Sequence, residues 1–259
     1  MVYVTAAYLV FLAAPIALLL VGSFGDSWSN TLLPHGFTGR WYAEIAADPS
    51  FRRAFVTSLE VVVATCILNV VVGLPLAYAV HTATRRGVRL AARLAALLPV
   101  AAPDLVLAFG FILVFSSDAL PWLGSFWLLV AAHLVLTLPY TVTTLLADME
   151  QLRLADYERI AASLGSGFLA RQRDVVAPLV ATSLTSAMLT VAALSIGEFQ
   201  VSNLVAGFLS RPYPVVLLQA FYGATGFACA ATVVLLALAT VASVASSLTA
   251  RLATPARAG

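Results

Sequence analysis

Lysine is absent from this 259-residue sequence, and all fourteen of its basic residues are arginine. A phosphate-binding P-loop uses a lysine to hold the β- and γ-phosphates. The chain therefore lacks a P-loop of its own, and any nucleotide that drives it must be bound by another subunit.

Charge of either sign is scarce: charged residues make up 10% of the sequence, hydrophobic residues 61%, and the mean hydropathy is +0.98. Soluble domains carry about 25% charged residues, so the composition predicts an integral membrane protein that contacts the lipid bilayer. A net charge of only +2 argues against a nucleic-acid partner.

Reactive side chains are also few. Cys66 and Cys229 lie in apolar runs and lack metal-ligand spacing, and the three histidines are scattered. Neither a zinc motif nor a nucleophile elbow is present. We therefore expect no catalytic residue and no metal site, and we interpret His133, alone in an apolar segment, as a packing histidine.

Long apolar runs dominate the remainder. A membrane-spanning helix needs about 20 apolar residues, and six segments satisfy that length. The sequence thus predicts an all-α membrane protein, with residues 1–259 forming a single transmembrane domain. The last segment exceeds one bilayer crossing, so it tilts, breaks or starts outside the membrane. The predicted spans are about 3–21, 54–80, 94–115, 125–146, 178–196 and 215–248.

The arginines indicate the topology. The segment 81–93 holds four arginines and no acid, which places it in the cytoplasm by the positive-inside rule. With both termini cytoplasmic, the inner side also receives most of the other arginines. The inner set is Arg85, Arg86, Arg89, Arg93, Arg153, Arg159, Arg171, Arg173, Arg251 and Arg257, and the outer set is Arg40, Arg52, Arg53 and Arg211.

The predicted cytoplasmic segment 147–176 contains the longest mixed-polarity run in the second half of the chain. Apolar side chains recur there at spacings of three and four, which predicts a short amphipathic helix. Gly165 and Gly167 can end that helix, and Pro178 can begin the next one. Periodicity alone allows the helix to lie on the inner leaflet or to contact another protein. The apolar residues are Tyr157, Ile160, Ala161, Leu164 and Phe168.

Four polar residues within or beside the apolar spans are candidates for a translocation pathway. Asp104 follows Pro103 and either lines the pathway or caps a broken helix. Glu198, at the outer end of the fifth span, is either a pathway residue or a loop carboxylate. Asn69 suits an interhelical hydrogen bond or a solute contact, and Glu60 can instead snorkel or pair with a nearby arginine.

The segment 156–178 resembles the cytoplasmic signature of the permease subunits of binding-protein-dependent ABC importers, which have the type I (MetI-like) fold with six transmembrane helices. That signature is Glu-Ala-Ala, three residues, Gly, and then an aliphatic residue before Leu-Pro. Gly165 stands at its glycine, Ala161 at its second alanine, Val175 at its aliphatic position and Pro178 at its proline.

Three positions depart from the signature. Its glutamate falls on Arg159, its first alanine on Ile160 and its leucine on Ala177, while Glu158 stands one residue early. Elsewhere the run 36–42 resembles polyamine permeases, the run 99–104 resembles the third helix of such proteins, and the run 195–199 resembles permeases for small charged solutes.

The resemblance implies a coupling helix that docks on an ABC ATPase. The implied coupling residues are Tyr157, Glu158, Arg159, Ala161, Ala162, Leu164, Gly165 and Phe168. The implied partners are an ATPase dimer that binds ATP and Mg²⁺, a second permease that is identical or different, and an extracytoplasmic solute-binding protein. The resemblance further implies a multi-pass protein of the bacterial inner membrane that performs no covalent chemistry.

The resemblance favours a polyamine such as spermidine or putrescine as the solute. It also allows 2-aminoethylphosphonate, ferric iron, thiamine or an oxyanion. An ion-coupled secondary transporter is the alternative, but it predicts inverted repeats, and none is evident. A membrane-embedded enzyme would need clustered Ser, His and Asp residues or metal ligands, which the sequence does not show.

Overall fold

The computed structural model describes residues 2–28, 31 and 33–253, and within them the chain is helical, with only isolated β-bridges. Arg257, which the topology prediction placed in the cytoplasm, lies outside the described residues. The helices are α1 (Val2–Ser23), α2 (Arg40–Ala47), α3 (Pro49–Leu68), α4 (Leu74–Thr82), α5 (Arg86–Ala101), α6 (Asp104–Phe115), α7 (Phe126–Gln151), α8 (Leu154–Ser163), α9 (Phe168–Arg171), α10 (Ala177–Gly197), α11 (Gln200–Val205), α12 (Tyr213–Ala220) and α13 (Thr225–Ala253).

Five of the helical stretches among the described residues are long and apolar enough to cross a membrane, or six if α5 and α6 count as one span. The predicted all-α class is therefore confirmed. The count of six depends on the bent pair, and the placement of the termini stays a prediction.

The third predicted span, 94–115, is not one helix. It is broken between α5 and α6, which are bent by 98°. Pro103 explains the break, because its ring disfavours helical backbone in the preceding residue, and Ala102 is accordingly extended at ψ 136°. The break leaves Asp104 as the first residue of α6.

Two other prolines, Pro75 and Pro178, do not break the helical stretches in which they lie. Before Pro75, a π-helical turn, Asn69–Gly73, joins α3 to α4 in one stretch, Pro49–Thr82. A second π-turn, Gln172–Val176, joins α9 to α10, so the fifth span begins at Phe168 and not at Pro178. A wider turn relieves the clash between a proline ring and the preceding turn of helix.

The sixth predicted span, 215–248, is divided. Helix α12 is followed by a short turn, and α13 begins only at Thr225. Tyr213 anchors α12: its backbone N–H donates to Ser58 Oγ at 2.8 Å and its hydroxyl donates to the carbonyl oxygen of Ala231 at 3.0 Å. Packing against both α3 and α13 therefore separates α12 from the span.

Two sets of contacts mark the opposite ends of the helix bundle. At one end, Arg93 pairs with Glu150, which brings the arginine-rich segment beside the end of α7. At the other end, Gly124 and Ala206 form an isolated parallel bridge. A Cβ on Gly207 would lie 2.2 Å from the carbonyl oxygen of Gly124, so this approach requires glycine.

Candidate functional site

A cavity of about 380 Å³ lies where the α5–α6 break, α7 and the α10–α11 junction meet. It brings together two of the four predicted pathway residues, Asp104 and Glu198, which are far apart in sequence. Its ionisable side chains include Asp104, Glu198 and His133. The lining residues are Pro99, Val100, Asp104, His133, Leu136, Thr137, Tyr140, Leu194, Ser195, Gly197, Glu198, Phe199 and Gln200.

The carboxylate of Glu198 is held in place by three donors. The backbone N–H groups of Val201 and Ser202 donate to it at 2.7 and 2.9 Å, and the Ser202 hydroxyl donates as well. Glu198 thereby satisfies N–H groups at the start of α11, and its side chain is 12% exposed. The carboxylate is thus a helix cap and a part of the cavity wall at once.

His133 lies behind Glu198 and is buried at 1% exposure. Its Nδ1 is 2.7 Å from Ser195 Oγ and its Nε2 is 2.9 Å from Ser202 Oγ. Nε2 also lies 3.6 Å from Glu198 Oε2. His133 therefore links α7 to α10 and α11, in addition to packing as the sequence suggested, and it borders the cavity.

Asp104, exposed at the first turn of α6, also lines the cavity. The sequence left two interpretations of this residue open. Within the described part of the chain, the structure shows no side-chain capping hydrogen bond at the start of α6, and the role of Asp104 in a pathway stays a prediction. Aspartate is favourable at that position, since the helix dipole is positive there.

The other two candidates lie away from the cavity. Asn69 is fully buried: its Nδ2 donates to Thr65 O at 3.0 Å and to Thr137 Oγ1 at 2.9 Å, and its Oδ1 accepts from Thr141 Oγ1 at 2.8 Å. It forms the interhelical contact that the sequence suggested as one alternative. Glu60 is exposed and does not line the cavity.

The second predicted site, around α8, ends in a glycine turn. Gly165 adopts φ +85°, its N–H donates to Ala162 O at 3.0 Å, and the N–H of Ser166 donates to Ala161 O at 3.0 Å. This pair of bonds is a Schellman cap, in which the residue with positive φ is usually glycine. The predicted helix end at Gly165 is therefore confirmed.

Helix α8 exposes an apolar stripe. Tyr157, Ile160 and Leu164 are 50%, 60% and 82% exposed, and Phe168, beyond the turn at the start of α9, is 55% exposed. Ala162 is exposed too, and exposed Arg159 pairs with Asp156 one turn earlier. Three residues of the predicted stripe, Tyr157, Ile160 and Leu164, thus face away from the bundle. The prediction was wrong for Ala161, which is half-buried, and Phe168 lies beyond the end of the helix.

The opposite face of α8 packs on the bundle. Leu154 is fully buried, and Ala161 is half-buried. Between them, half-buried Glu158 accepts a hydrogen bond from the Tyr78 hydroxyl of α4 at 2.7 Å. Glu158 therefore binds the second membrane span in this structure, which its sequence position did not indicate.

Comparisons with known proteins agree with the sequence motifs, although no family model matches the chain. PhnV of Salmonella typhimurium, described as a 2-aminoethylphosphonate transport system permease protein, is 28% identical over 200 residues, covering 76% of this chain and 73% of that protein. PotC of Escherichia coli, a spermidine/putrescine transport system permease protein, is 26% identical over 253 residues, covering 96% of this chain and 92% of that protein.

Solved structures show the same fold. A bacterial ABC transporter involved in the import of the acidic polysaccharide alginate matches with a TM-score of 0.73 at 15% identity, over 97% of this chain and 93% of that chain. A second alginate transporter structure, in complex with an alginate pentasaccharide-bound periplasmic protein, matches with a TM-score of 0.74 at 15% identity, over 98% and 93% of the two chains.

Fold and relatives together show that the chain is similar to the permease subunits of ABC importers. Within that class, the chain is similar to permeases of the polyamine and aminophosphonate branch, as the motifs predicted. The alternative of an ion-coupled secondary transporter is not favoured by these relatives.

Proposed function

We propose that this chain forms half of the pathway by which an ATP-driven importer carries a small organic cation of the polyamine type across the bacterial inner membrane. The observation that carries the proposal is the cavity, in which Asp104 and Glu198 lie together without any arginine among the lining residues. Two carboxylates favour a cationic solute through charge complementarity.

Aromatic side chains support the same choice. Tyr140 and Phe199 line the cavity, and an ammonium group placed over an aromatic ring gains further electrostatic stabilisation. A phosphonate, in contrast, is usually bound by arginine or lysine side chains, which are not among the residues that line this cavity. PotC, whose name specifies spermidine and putrescine, also matches most of the chain.

The proposed assembly follows from what the chain lacks. Because the sequence contains no lysine for a P-loop, ATP and Mg²⁺ would be bound by a partner ATPase. The exposed stripe Tyr157, Ile160 and Leu164 would dock in that ATPase. A second permease, identical or different, would complete the pathway, and a solute-binding protein would deliver the cation from outside.

Uptake into proteoliposomes that contain the assembled importer tests the substrate class. Labelled putrescine, spermidine and 2-aminoethylphosphonate would be supplied with the solute-binding protein, with and without ATP. We expect ATP-dependent uptake of the two polyamines. In Asp104→Asn, the KM for putrescine should rise about tenfold, as for the loss of about 1.4 kcal/mol of binding.

Asp118→Asn is the matched control, because Asp118 is an exposed carboxylate in the α6–α7 loop and does not line the cavity. Uptake of 2-aminoethylphosphonate alone would overturn the cation assignment. Solute movement by the isolated chain without ATP would overturn the importer assignment and favour a secondary transporter.

A further inference from the structure

A hydrogen bond joins the inward face of α8 to the membrane-spanning region, beside the packing of fully buried Leu154. The Tyr78 hydroxyl donates to Glu158 Oε1 at 2.7 Å, from the last turns of the Pro49–Thr82 stretch. The neighbours of Glu158 on either side, Tyr157 and Arg159, are exposed, whereas Glu158 is half-buried. Bonds to an ionised acceptor are roughly twice as strong as bonds between neutral groups.

Tyr78 also contacts the far side of the glycine turn. Its ring lies 6.3 Å from the Phe168 ring, between centroids, at the start of α9. Three residues after Phe168, Arg171 Nη1 donates to the carbonyl oxygen of Ser166 within the turn at 3.0 Å. Tyr78 therefore contacts both α8 and α9, the two helices on either side of Gly165. A displacement of either helix would change its contacts with the Tyr78 side chain.

The stretch that carries Tyr78 leads to the cavity. Asn69 precedes Tyr78 by nine residues, which is about 13 Å along a helix, and it binds Thr137 and Thr141 of α7. Thr137 lines the cavity and donates to the carbonyl oxygen of His133 at 2.7 Å. A contiguous set of hydrogen bonds and one helix thus connects α8 to the side chains beside Glu198.

We infer that Tyr78 is a positioning residue for transport: through Glu158 it passes a displacement of α8 to the second span and thereby to the cavity. This inference rests on the proposed function, because it assumes that an ATPase moves α8. An aromatic ring with only two rotatable bonds is a stiff connection, so little of the displacement would be lost in side-chain motion.

A purely structural role for Tyr78 makes a different prediction. If the hydroxyl only stabilised the fold, its loss would lower the yield and the thermal stability of the complex, and each remaining complex would transport normally. The number of solute molecules moved per ATP hydrolysed separates the two roles, since that ratio does not depend on the amount of folded protein.

The test compares Tyr78→Phe with Tyr8→Phe in the assembled importer, using labelled putrescine and 2-aminoethylphosphonate as probes. Tyr8 is a matched control, because it is 61% exposed on α1. We expect solute moved per ATP to fall about fivefold in Tyr78→Phe, the factor that corresponds to one net hydrogen bond. The amount of ATPase that co-purifies should not change.

Substitutions of the acceptor sharpen the test. Glu158→Gln keeps a carbonyl oxygen that can accept from the tyrosine, so it should retain most of the coupling, whereas Glu158→Ala should lose it. The double variant Tyr78→Phe with Glu158→Ala should be no worse than Glu158→Ala alone, because both changes remove the same bond.

Two results would contradict the proposals, and they differ. If the unsubstituted importer couples uptake to ATP and Tyr78→Phe keeps the same ratio, the positioning role of Tyr78 is wrong while the proposed function stands. If the unsubstituted assembly shows no ATP-driven uptake of either probe, the proposed function itself is wrong, and the role of Tyr78 in coupling is lost with it.

Discussion

The cavity and the outward face of α8 differ in which type of side chain is buried and which is exposed. Beside Glu198, polar side chains are buried and bonded: His133 is 1% exposed, and both of its ring nitrogens lie within hydrogen-bond distance of a serine hydroxyl. On α8, large apolar side chains are exposed, up to 82% for Leu164. Burying polar groups is favourable only when they are paired, and exposing apolar groups suits a surface that another protein covers.

The difference separates contacts that this chain satisfies by itself from a surface that it leaves exposed. The network around Glu198 closes within this chain, because α7, α10 and α11 supply its hydrogen-bond partners. The stripe of α8 stays exposed among the described residues, and its helix packs on the bundle through its inward side. We therefore expect substitutions at the cavity to affect stability as well as transport, and substitutions on the stripe to affect assembly with the proposed ATPase.

The largest expected effect comes from Gly165→Pro. Proline requires φ near −65°, whereas Gly165 adopts +85° and its N–H caps α8, so the turn cannot form. ATP-driven uptake should be abolished, while the amount of chain in the membrane fraction should stay the same.

Gly167→Ala is the control for that substitution, because Gly167 has φ −68° and a Cβ added there would meet no other described part of the chain within 4 Å. Normal uptake in Gly165→Pro would remove the coupling assignment of α8.

Leu164→Asp tests whether the exposed stripe is a contact surface. A charge at the centre of an apolar interface should cost about 2 kcal/mol or more, so the ATPase retained in a pulldown should fall about thirtyfold. Thermal stability of the chain should not change, because the side chain is exposed. Leu209→Asp, at a 74% exposed leucine near the opposite end, should retain the ATPase fully.

His133→Ala tests the closed network at the cavity. The substitution leaves a void and removes one hydrogen-bond partner from each of two buried hydroxyl groups, on Ser195 and Ser202, so we expect a loss of about 2–4 kcal/mol in stability. The melting temperature of the detergent-solubilised chain measures this effect. His35→Ala should leave that temperature unchanged, since His35 is exposed, and an equal change in both variants would argue against the network.

Asn69→Ala should have the smallest effect. Interhelical hydrogen bonds within membranes contribute about 0.6 to 2 kcal/mol, and this variant loses the bonds to Thr137 and Thr141. The melting temperature should fall by less than in His133→Ala. Thr82→Val is the control, because Thr82 is exposed and bonds within its own helix. If the melting temperature falls further in Asn69→Ala than in His133→Ala, the hydrogen bonds of Asn69 contribute more to stability than those of His133, contrary to this prediction.

The sequence by itself determined the features that depend on residues close together along the chain. Apolar content predicted the membrane class, and spacings of three and four predicted the stripe of α8. Gly165 predicted the helix end, because the choice between glycine and other residues at a positive φ is local. The approximate positions of the spans followed for the same reason, apart from the third, which is bent, the fifth, which begins earlier than predicted, and the sixth, which is divided.

Only the tertiary structure decided the rest. Pro75 and Pro178 follow π-turns within continuous helices, whereas Pro103 separates α5 from α6, although all three prolines look alike in the sequence. The sequence likewise indicated Asp104 and Glu198 separately. It did not indicate Ser195 and Ser202, or that His133 lies within hydrogen-bond distance of both. Which helices pack together determines how a proline is accommodated and which distant polar side chains meet, and that packing depends on contacts across the whole chain.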